Sequence, residues 1–332
     1  MVNVVWPTDW APKPNISWLS YNTFDECQRK WLNQYLTALY PKPEYWDYAN
    51  HSRLMPVEAL AGRVVDDTID IGLKLFVENG AWPSSLYPYA KTVLGGYIKF
   101  SKRWTRAVED KTTRPNNPEF QAIDAIFFEQ KISNEMQEKI VETVQRCLDN
   151  FEASDIPTFI ENYSTEDWIL KPNLSGFKQP WFMLSDMPVY ANFDFIVRSE
   201  NETIIFDWKC GKVENDKGKA LEQLHWYACY VMEEWGVPAS AIRLAPIWLA
   251  EKVSLEFQSV DTRRIELIKS IWRQRFELLR ERLKTGGEDL DIFLKMFPTT
   301  PYPNVCRQCA FRSCPSFNSP DTQSNGEWDD EY

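Results

Sequence analysis

Phe193-Asp194-Phe195-Ile196-Val197-Arg198, then Ser199-Glu200-Asn201-Glu202, then Thr203-Ile204-Ile205-Phe206-Asp207-Trp208-Lys209 is the stretch that decides the fold. β-Branched and aromatic residues dominate both flanks, as in strands, and the polar quartet between them reads as a turn. A turn centred on Glu200-Asn201 pairs residues whose numbers sum to 401, so Asp194 faces Asp207 and Ile196 faces Ile205. Side chains alternate faces along a strand, so Lys209 shares a face with both aspartates. Opposed residues stand about 4.5–5.5 Å apart at Cβ. Two like charges held that close are destabilising unless a cation compensates them.

A divalent metal is one such cation, since Mg²⁺ and Mn²⁺ take oxygen ligands. Phosphodiester hydrolysis needs an activated water and relief of the charge that develops on phosphate oxygens. A metal between Asp194 and Asp207 can supply both, and Lys209 can orient the water or neutralise charge. A lone aspartate on a hairpin is ordinarily a surface charge. Two aspartates and a lysine on one face make a catalytic reading its equal.

Working outward, strand character extends over Pro188–Gly211, starting with Val189 and Tyr190. A helix follows over Ala220–Trp235, a strand over Ile242–Leu249, a partner strand near Val253–Phe257, and a long helix over Thr262–Lys284. Upstream, Ser17–Tyr40 reads as one helix capped by Ser20, followed by a connector with Pro41, Pro43 and Pro56. Val57–Val77 is a second helix whose apolar stripe is Leu60, Val64, Ile71 and Leu75. Leu86–Arg106 and Ile123–Phe151 are helical around a polar, proline-bearing link, so residues 82–165 read as a helical insertion. An α-rich start followed by ββαββα predicts an α/β fold, a mixed sheet flanked by helices.

The chain has 332 residues, with 44% hydrophobic and 14% aromatic, enough for a large core and too apolar for general disorder. We expect one domain over 1–315 and a disordered acidic tail over 316–332, with Asp321, Glu327, Asp329, Asp330 and Glu331. No apolar run reaches the roughly 18–20 residues of a membrane span, and the start lacks a basic segment followed by an apolar one. The expectation is a cytoplasmic protein with no membrane partner. A net charge of −11 weighs against nucleic-acid binding and confines any such contact to local basic patches. The best is Lys99, Lys102, Arg103, Arg106, Lys111 and Arg114 with Trp104 among them, a candidate path for a single strand or else a solvated helix face.

Seven cysteines in a reducing compartment argue against disulfides. Cys147, Cys210 and Cys229 fall in regular elements and read as packing residues. Cys306-x2-Cys309-x4-Cys314 is different, because Pro301, Pro303, Arg307, Arg312 and Pro315 around it are not a core composition. Three thiols so close suggest a Cys₄ site in need of a fourth ligand, and spacing alone does not separate zinc from iron–sulfur.

The hairpin resembles the catalytic core of the PD-(D/E)XK superfamily. Asp207-Trp208-Lys209-Cys210-Gly211-Lys212 resembles the D-W-K-T-G-K stretch of its RecB-like nucleases, with Cys210 where Thr is common. Gln223-Leu224-His225-Trp226-Tyr227-Ala228 is similar to their Q-x-x-x-Y motif, and helical spacing puts Gln223 and Tyr227 on one face. Those relatives carry G-x-x-x-H on an earlier helix. Here Gly62-Arg63-Val64-Val65-Asp66 places Asp66 at the histidine position, a hard ligand in its stead, while Asp67 and Asp70 read as surface residues. Cys27, in Phe24-Asp25-Glu26-Cys27-Gln28-Arg29-Lys30-Trp31, matches the segment where AddB-type and CRISPR-associated RecB-like nucleases place their first cluster cysteine.

The resemblance implies a RecB-like deoxyribonuclease, an exonuclease on single-stranded DNA ends, with Asp194, Asp207, Lys209, Gln223 and Tyr227 catalytic. It implies Mg²⁺ or Mn²⁺ on Asp66, Asp194 and Asp207. It also implies a 4Fe–4S cluster on Cys27, Cys306, Cys309 and Cys314, with zinc as the alternative, stapling the first helix to 306–314. A DNA-binding or assembly module that kept the fold without catalysis is the rival reading, favoured by Asp66 and the acidic charge and opposed by the intact Asp194, Asp207 and Lys209. A redox or zinc protein leaves the hairpin unexplained.

Overall fold

The central hairpin has the register expected of it. In the computed structural model, which describes residues 16–35, 46–112, 121–171, 180–184, 187–286, 290–300, 305–306, 308–314 and 316–317, Phe195 pairs with Phe206 and Ile196 with Ile205. Arg114, Pro41, Pro43 and tail residues 318–332 lie outside the described residues.

In chain order the strands are β1 (Ile16–Ser17), β2 (Leu54–Met55), β3 (Ala122–Ile123), β4 (Trp168–Leu170), β5 (Trp181–Leu184), β6 (Met187–Tyr190), β7 (Phe195–Arg198), β8 (Thr203–Lys209), β9 (Ile242–Trp248) and β10 (Gln258–Ser259). The helices are α1 (Trp18–Glu26), α2 (Gln28–Tyr35), α3 (Trp46–His51), α4 (Leu60–Asn79), α5 (Tyr87–Glu109), α6 (Asp124–Glu129), α7 (Asn134–Glu152), α8 (Ile156–Glu161), α9 (Val213–Trp235), α10 (Thr262–Gly286) and α11 (Leu290–Met296).

The main sheet runs β10-β9-β8-β7-β4. β7 and β8 are antiparallel, and β8 and β9 are parallel from Thr203↔Ile242 to Lys209↔Trp248. A parallel pair needs a crossover, which α9 provides. β8 is covered on both faces: every residue from Thr203 to Trp208 is buried, so its sequence does not alternate. Phe195, Val197, Ile204, Phe206 and Trp208 pack with Leu60 and Val64 of α4 and with Leu148 and Phe151 of α7. Ile196, Ile205 and Leu244 pack on the other side with Leu224 and Ala228 of α9 and Ile268 and Trp272 of α10. A smaller sheet, β1-β6-β5, and a parallel β2–β3 pair complete the strands among the described residues.

α1 and α2 are clasped to the segment around Phe297 by packing. Trp31 stacks on Phe297 at 6.0 Å between ring centres, and Arg29 Nε donates to Phe297 O at 2.9 Å. Phe24, Leu32 and Leu279 close the same cluster.

Several expectations need correction. The first helix begins where expected, but Ser17 rather than Ser20 is its cap: Ser17 Oγ accepts from Ser20 N–H at 3.3 Å. It then breaks at Cys27, whose backbone is extended, into α1 and α2. The single helix expected over Ile123–Phe151 is two, since Gln130 turns left-handed at φ 62 and Ser133 caps α7. Strand character over 188–198 is interrupted, with β6 joining the smaller sheet and the chain crossing to β7 through Ala191–Asp194. The partner of β9 is β10, because Val253–Phe257 is irregular. On α4 the buried stripe runs through Ala61, Val65, Ile69 and Leu73 as well as Leu60 and Val64, whereas Ile71 and Leu75 are half-buried.

Phe297→Ala should cost about 3–5 kcal/mol, the range for emptying a buried aromatic site. A lower urea midpoint with an unchanged m-value is the expected result, and a midpoint like that of wild type would mean the clasp contributes nothing.

Candidate active site

Five of the sequence-predicted residues meet at the carboxyl end of β8. Asp207 is fully buried, and Lys209 Nζ lies 2.6 Å from its Oδ2. Lys209 Nζ also donates to Gln223 Oε1 at 2.8 Å, and Gln223 Nε2 donates to Tyr227 OH at 2.6 Å. Gln223 and Tyr227 lie one turn apart on α9, so the helix that crosses over from β8 to β9 also holds the lysine in place. Asp194 sits just before β7, and its Oδ2 accepts the Trp208 N–H at 2.9 Å. That bond fixes the first aspartate beside the second.

Asp66 reaches the site from α4 on the other side of the sheet. Gly62, one turn earlier, shows how near α4 lies to the end of β8: a Cβ there would stand 4.0 Å from Cys210 Cβ, an ordinary contact, directly after Lys209. Asp66 Oδ2 is ion-paired with Lys171 Nζ and lies 3.5 Å from Arg63 Nη1. Asp67 and Asp70 are not surface residues as expected: their side chains are 24% and 14% exposed, and both are paired. Asp67 accepts from Tyr97 OH at 2.6 Å, and Asp70 pairs with Lys74. Lys171 went unrecognised in the sequence. The β-forming triplet Trp168-Ile169-Leu170 before it was the available signal, but three residues are too few to declare a strand.

The electrostatics follow from burial. Burial pushes the Asp194 carboxyl well above the usual range, Asp66 and Asp207 push it further, and Lys171 and Lys209 only partly offset them. Asp207 is likewise raised by burial, against the pull of Lys209. For the two lysines burial is the largest effect and acts downward, but the surrounding carboxylates together outweigh it, Asp66, Asp194 and Asp67 around Lys171 and Asp207, Asp194 and Asp66 around Lys209, so both are raised. Burial, then Asp207 and Asp194, holds the Tyr227 phenol well above its ordinary value and keeps it neutral.

The oxygens suit a hard divalent ion. Asp66 Oδ1 and Asp207 Oδ1 are buried without a hydrogen-bond donor, while Asp207 Oδ2 is met by the Lys209 ammonium. Buried polar atoms left so are uncommon and call for a partner. Among the described residues, however, no three His, Cys, Asp or Glu side chains converge to metal-ligand spacing.

Cys27, Cys306, Cys309 and Cys314 line one cavity, with Lys30, Asn33, Phe311 and Phe317 around them. Cys27 Sγ accepts the Lys30 N–H at 3.4 Å, and the Cys306 thiol donates to Thr300 O at 3.8 Å. Burial pushes the Cys309 thiol up to about 11. The four thiols thus share a common wall, and among the described residues they do not close into a metal site. Cys147 and Cys229 are fully buried, as packing residues are, and Cys210 is half-buried.

On α5, Lys99, Lys102, Arg103 and Arg106 are exposed, as is Lys111 beyond it. Trp104 is not available for stacking. It is 5% exposed and packs against Phe100, Leu54 and Ala122, because its helical position faces the β2–β3 pair. No helix among the described residues is long and apolar enough to cross a membrane.

The family model of the PD-(D/E)XK nuclease superfamily matches residues 15–314. The chain belongs to that superfamily. Neither curated proteins nor solved structures give a significant match. The mixed sheet with helices on both faces is the PD-(D/E)XK fold. Nucleases of this superfamily hydrolyse nucleic acid and generally use Mg²⁺ or a similar divalent metal.

The raised Asp194 carboxyl sets a pH dependence. A buried acid whose folded pKa exceeds its unfolded one contributes stability at low pH and loses it as pH rises through the folded value. In EDTA, Asp194→Asn should therefore raise the melting temperature at pH 8 by about 2 °C, the scale of 1 kcal/mol in a large domain. The gain should shrink as pH falls. A variant less stable than wild type at pH 8 would show that the Trp208 contact outweighs the charge.

Proposed function

We propose that this PD-(D/E)XK nuclease is a metal-dependent deoxyribonuclease of the RecB-like kind, an exonuclease acting on single-stranded DNA ends. What carries the reading is Lys209, held between Asp207 and Gln223 at the mouth of a buried carboxylate pair. Asp66, Asp194 and Asp207 would hold a divalent cation, Mg²⁺ or Mn²⁺, which when bound would supply the Lewis acidity that phosphodiester hydrolysis requires. Lys209 orients the attacking water and neutralises charge developing on the phosphate. Gln223 fixes the lysine, and neutral Tyr227 fixes Gln223. The exposed lysines and arginines of α5 give an otherwise acidic chain a local surface for the DNA backbone.

Replacing Asp207 with Ala should abolish cleavage of single-stranded DNA in Mg²⁺ or Mn²⁺, a loss of at least about 10³-fold, while the far-UV circular dichroism is kept. Cleavage by this variant at the wild-type rate would remove Asp207 from the site. A wild-type chain that binds DNA but cleaves it in neither metal would favour the assembly-module reading.

We further propose that Cys27, Cys306, Cys309 and Cys314, which line one cavity, hold a 4Fe–4S cluster that joins α1–α2 to the C-terminal segment. It would act on stability rather than on electron transfer. Protein purified without oxygen should be brown and carry iron and labile sulfide in near-equal amounts, and Cys309→Ala should lower both that content and the melting temperature. A colourless preparation with one equivalent of zinc would assign the site to zinc.

A further inference from the structure

We propose that Lys171 is an internal stand-in cation: it occupies Asp66 in the metal-free protein and is displaced when the divalent ion binds. This rests on reading Asp66 as a metal ligand.

The sheet register puts the lysine there. β4 is antiparallel to β7 with Leu170 opposite Phe195, so the next position brings Lys171 level with Asp194. Extending the β7–β8 register by one position likewise puts Asp194 level with Asp207, and Asp194 Oδ2 accepts the Trp208 N–H beside it. A row of lysine, aspartate and aspartate thus crosses the strand ends, with Lys209 two residues further along β8. The two lysines bracket the carboxylates, Lys209 on Asp207 and Lys171 on Asp66.

Lys171 and Asp66 are 19% and 17% exposed, so both charges have lost most of their water. Separating such a pair without replacing either partner leaves an uncompensated buried charge. Asp66 and the pair at Asp194 and Asp207 therefore need a cation at all times. Lys171 serves while no metal is present. It is also the wrong cation for the chemistry, since an ammonium donates hydrogen bonds but has no open coordination position. Asp66 Oδ2 is taken up by Lys171, whereas Oδ1 is buried without a partner. An ion taking the carboxylate must compete with Lys171 for it, and its apparent affinity falls by the fraction of time the pair is open.

The test uses Mn²⁺ alone, without DNA, on the full chain. Free Mn²⁺ is counted by electron paramagnetic resonance for wild type, Asp66→Asn and Lys171→Met. Asp66→Asn should weaken binding, and Lys171→Met should tighten it about tenfold, as expected if the pair is closed nine-tenths of the time. Removing a positive charge could tighten binding from a distance, so a second measurement on the wild-type chain decides. Acetic anhydride labelling read by peptide mass should find Lys171 slow without metal and several-fold faster at saturating Mn²⁺, with Lys74 as an unresponsive reference.

Labelling of Lys171 unchanged by Mn²⁺, or no tightening in a folded Lys171→Met variant, overturns the displacement. If Asp66→Asn weakens binding in that case, Asp66 remains a ligand and only the role of Lys171 falls. If Asp66→Asn binds Mn²⁺ like wild type, the ligand reading fails and the proposal with it.

Discussion

Burying two carboxylates side by side is the constraint around which this molecule is arranged. Asp207 lies in the most covered strand of the sheet, and Asp194 is tied beside it by the Trp208 amide. Neither position would tolerate a free charge. Each group converging on them either compensates that charge or holds a compensating group: Lys209 by contact, Gln223 by holding Lys209, Lys171 from the edge strand, and α4 by bringing Asp66.

The surrounding fold can be understood as support for that arrangement. β8 is central because a parallel neighbour on one side and an antiparallel neighbour on the other leave no edge through which water could reach Asp207. α9 must follow β8 immediately, since a parallel β9 demands a crossover, and its first exposed-to-buried turns then present Gln223 and Tyr227 to the strand end. α4 packs on the opposite face through an apolar stripe, which leaves its polar edge, Arg63, Asp66 and Asp67, at the sheet's end. Position in the sheet and position in the site are one geometric fact.

Much of this was legible in the sequence, and the reason is locality. The hairpin register followed from a four-residue turn between two short strands, so Asp194, Asp207 and Lys209 could be placed by counting. Gln223 and Tyr227 were marked by their resemblance to the Q-x-x-x-Y motif, and helical periodicity then put them on one face. The misreadings share the opposite property. Cys27 breaks a helix because of its own backbone conformation, with no glycine or proline to signal it. Trp104 sits in a basic run, and only its tertiary partners Leu54 and Ala122 reveal that it faces inward. Lys171 follows a three-residue strand whose existence depends on pairing with β7, where Leu170 meets Phe195, 25 residues later. Non-local pairing has no local spelling.

The departure at Asp66 and the presence of Lys171 then explain each other. A neutral histidine at position 66 would leave two aspartates facing one lysine on β8. An aspartate there adds a third negative charge to a region that burial already makes hostile to two. The structure answers with a second lysine from the neighbouring edge strand, so three carboxylates stand against two ammonium groups. Asp70 is matched by Lys74, while Arg63 bridges Asp66 and Asp67 and Lys171 also reaches Asp67 at 4.0 Å, so Arg63 and Asp67 add one charge of each sign to the group and leave its balance unchanged. What remains is one unit of negative charge and buried oxygens without directed donors, which is the electrostatic condition for holding a small cation while keeping the fold intact in its absence.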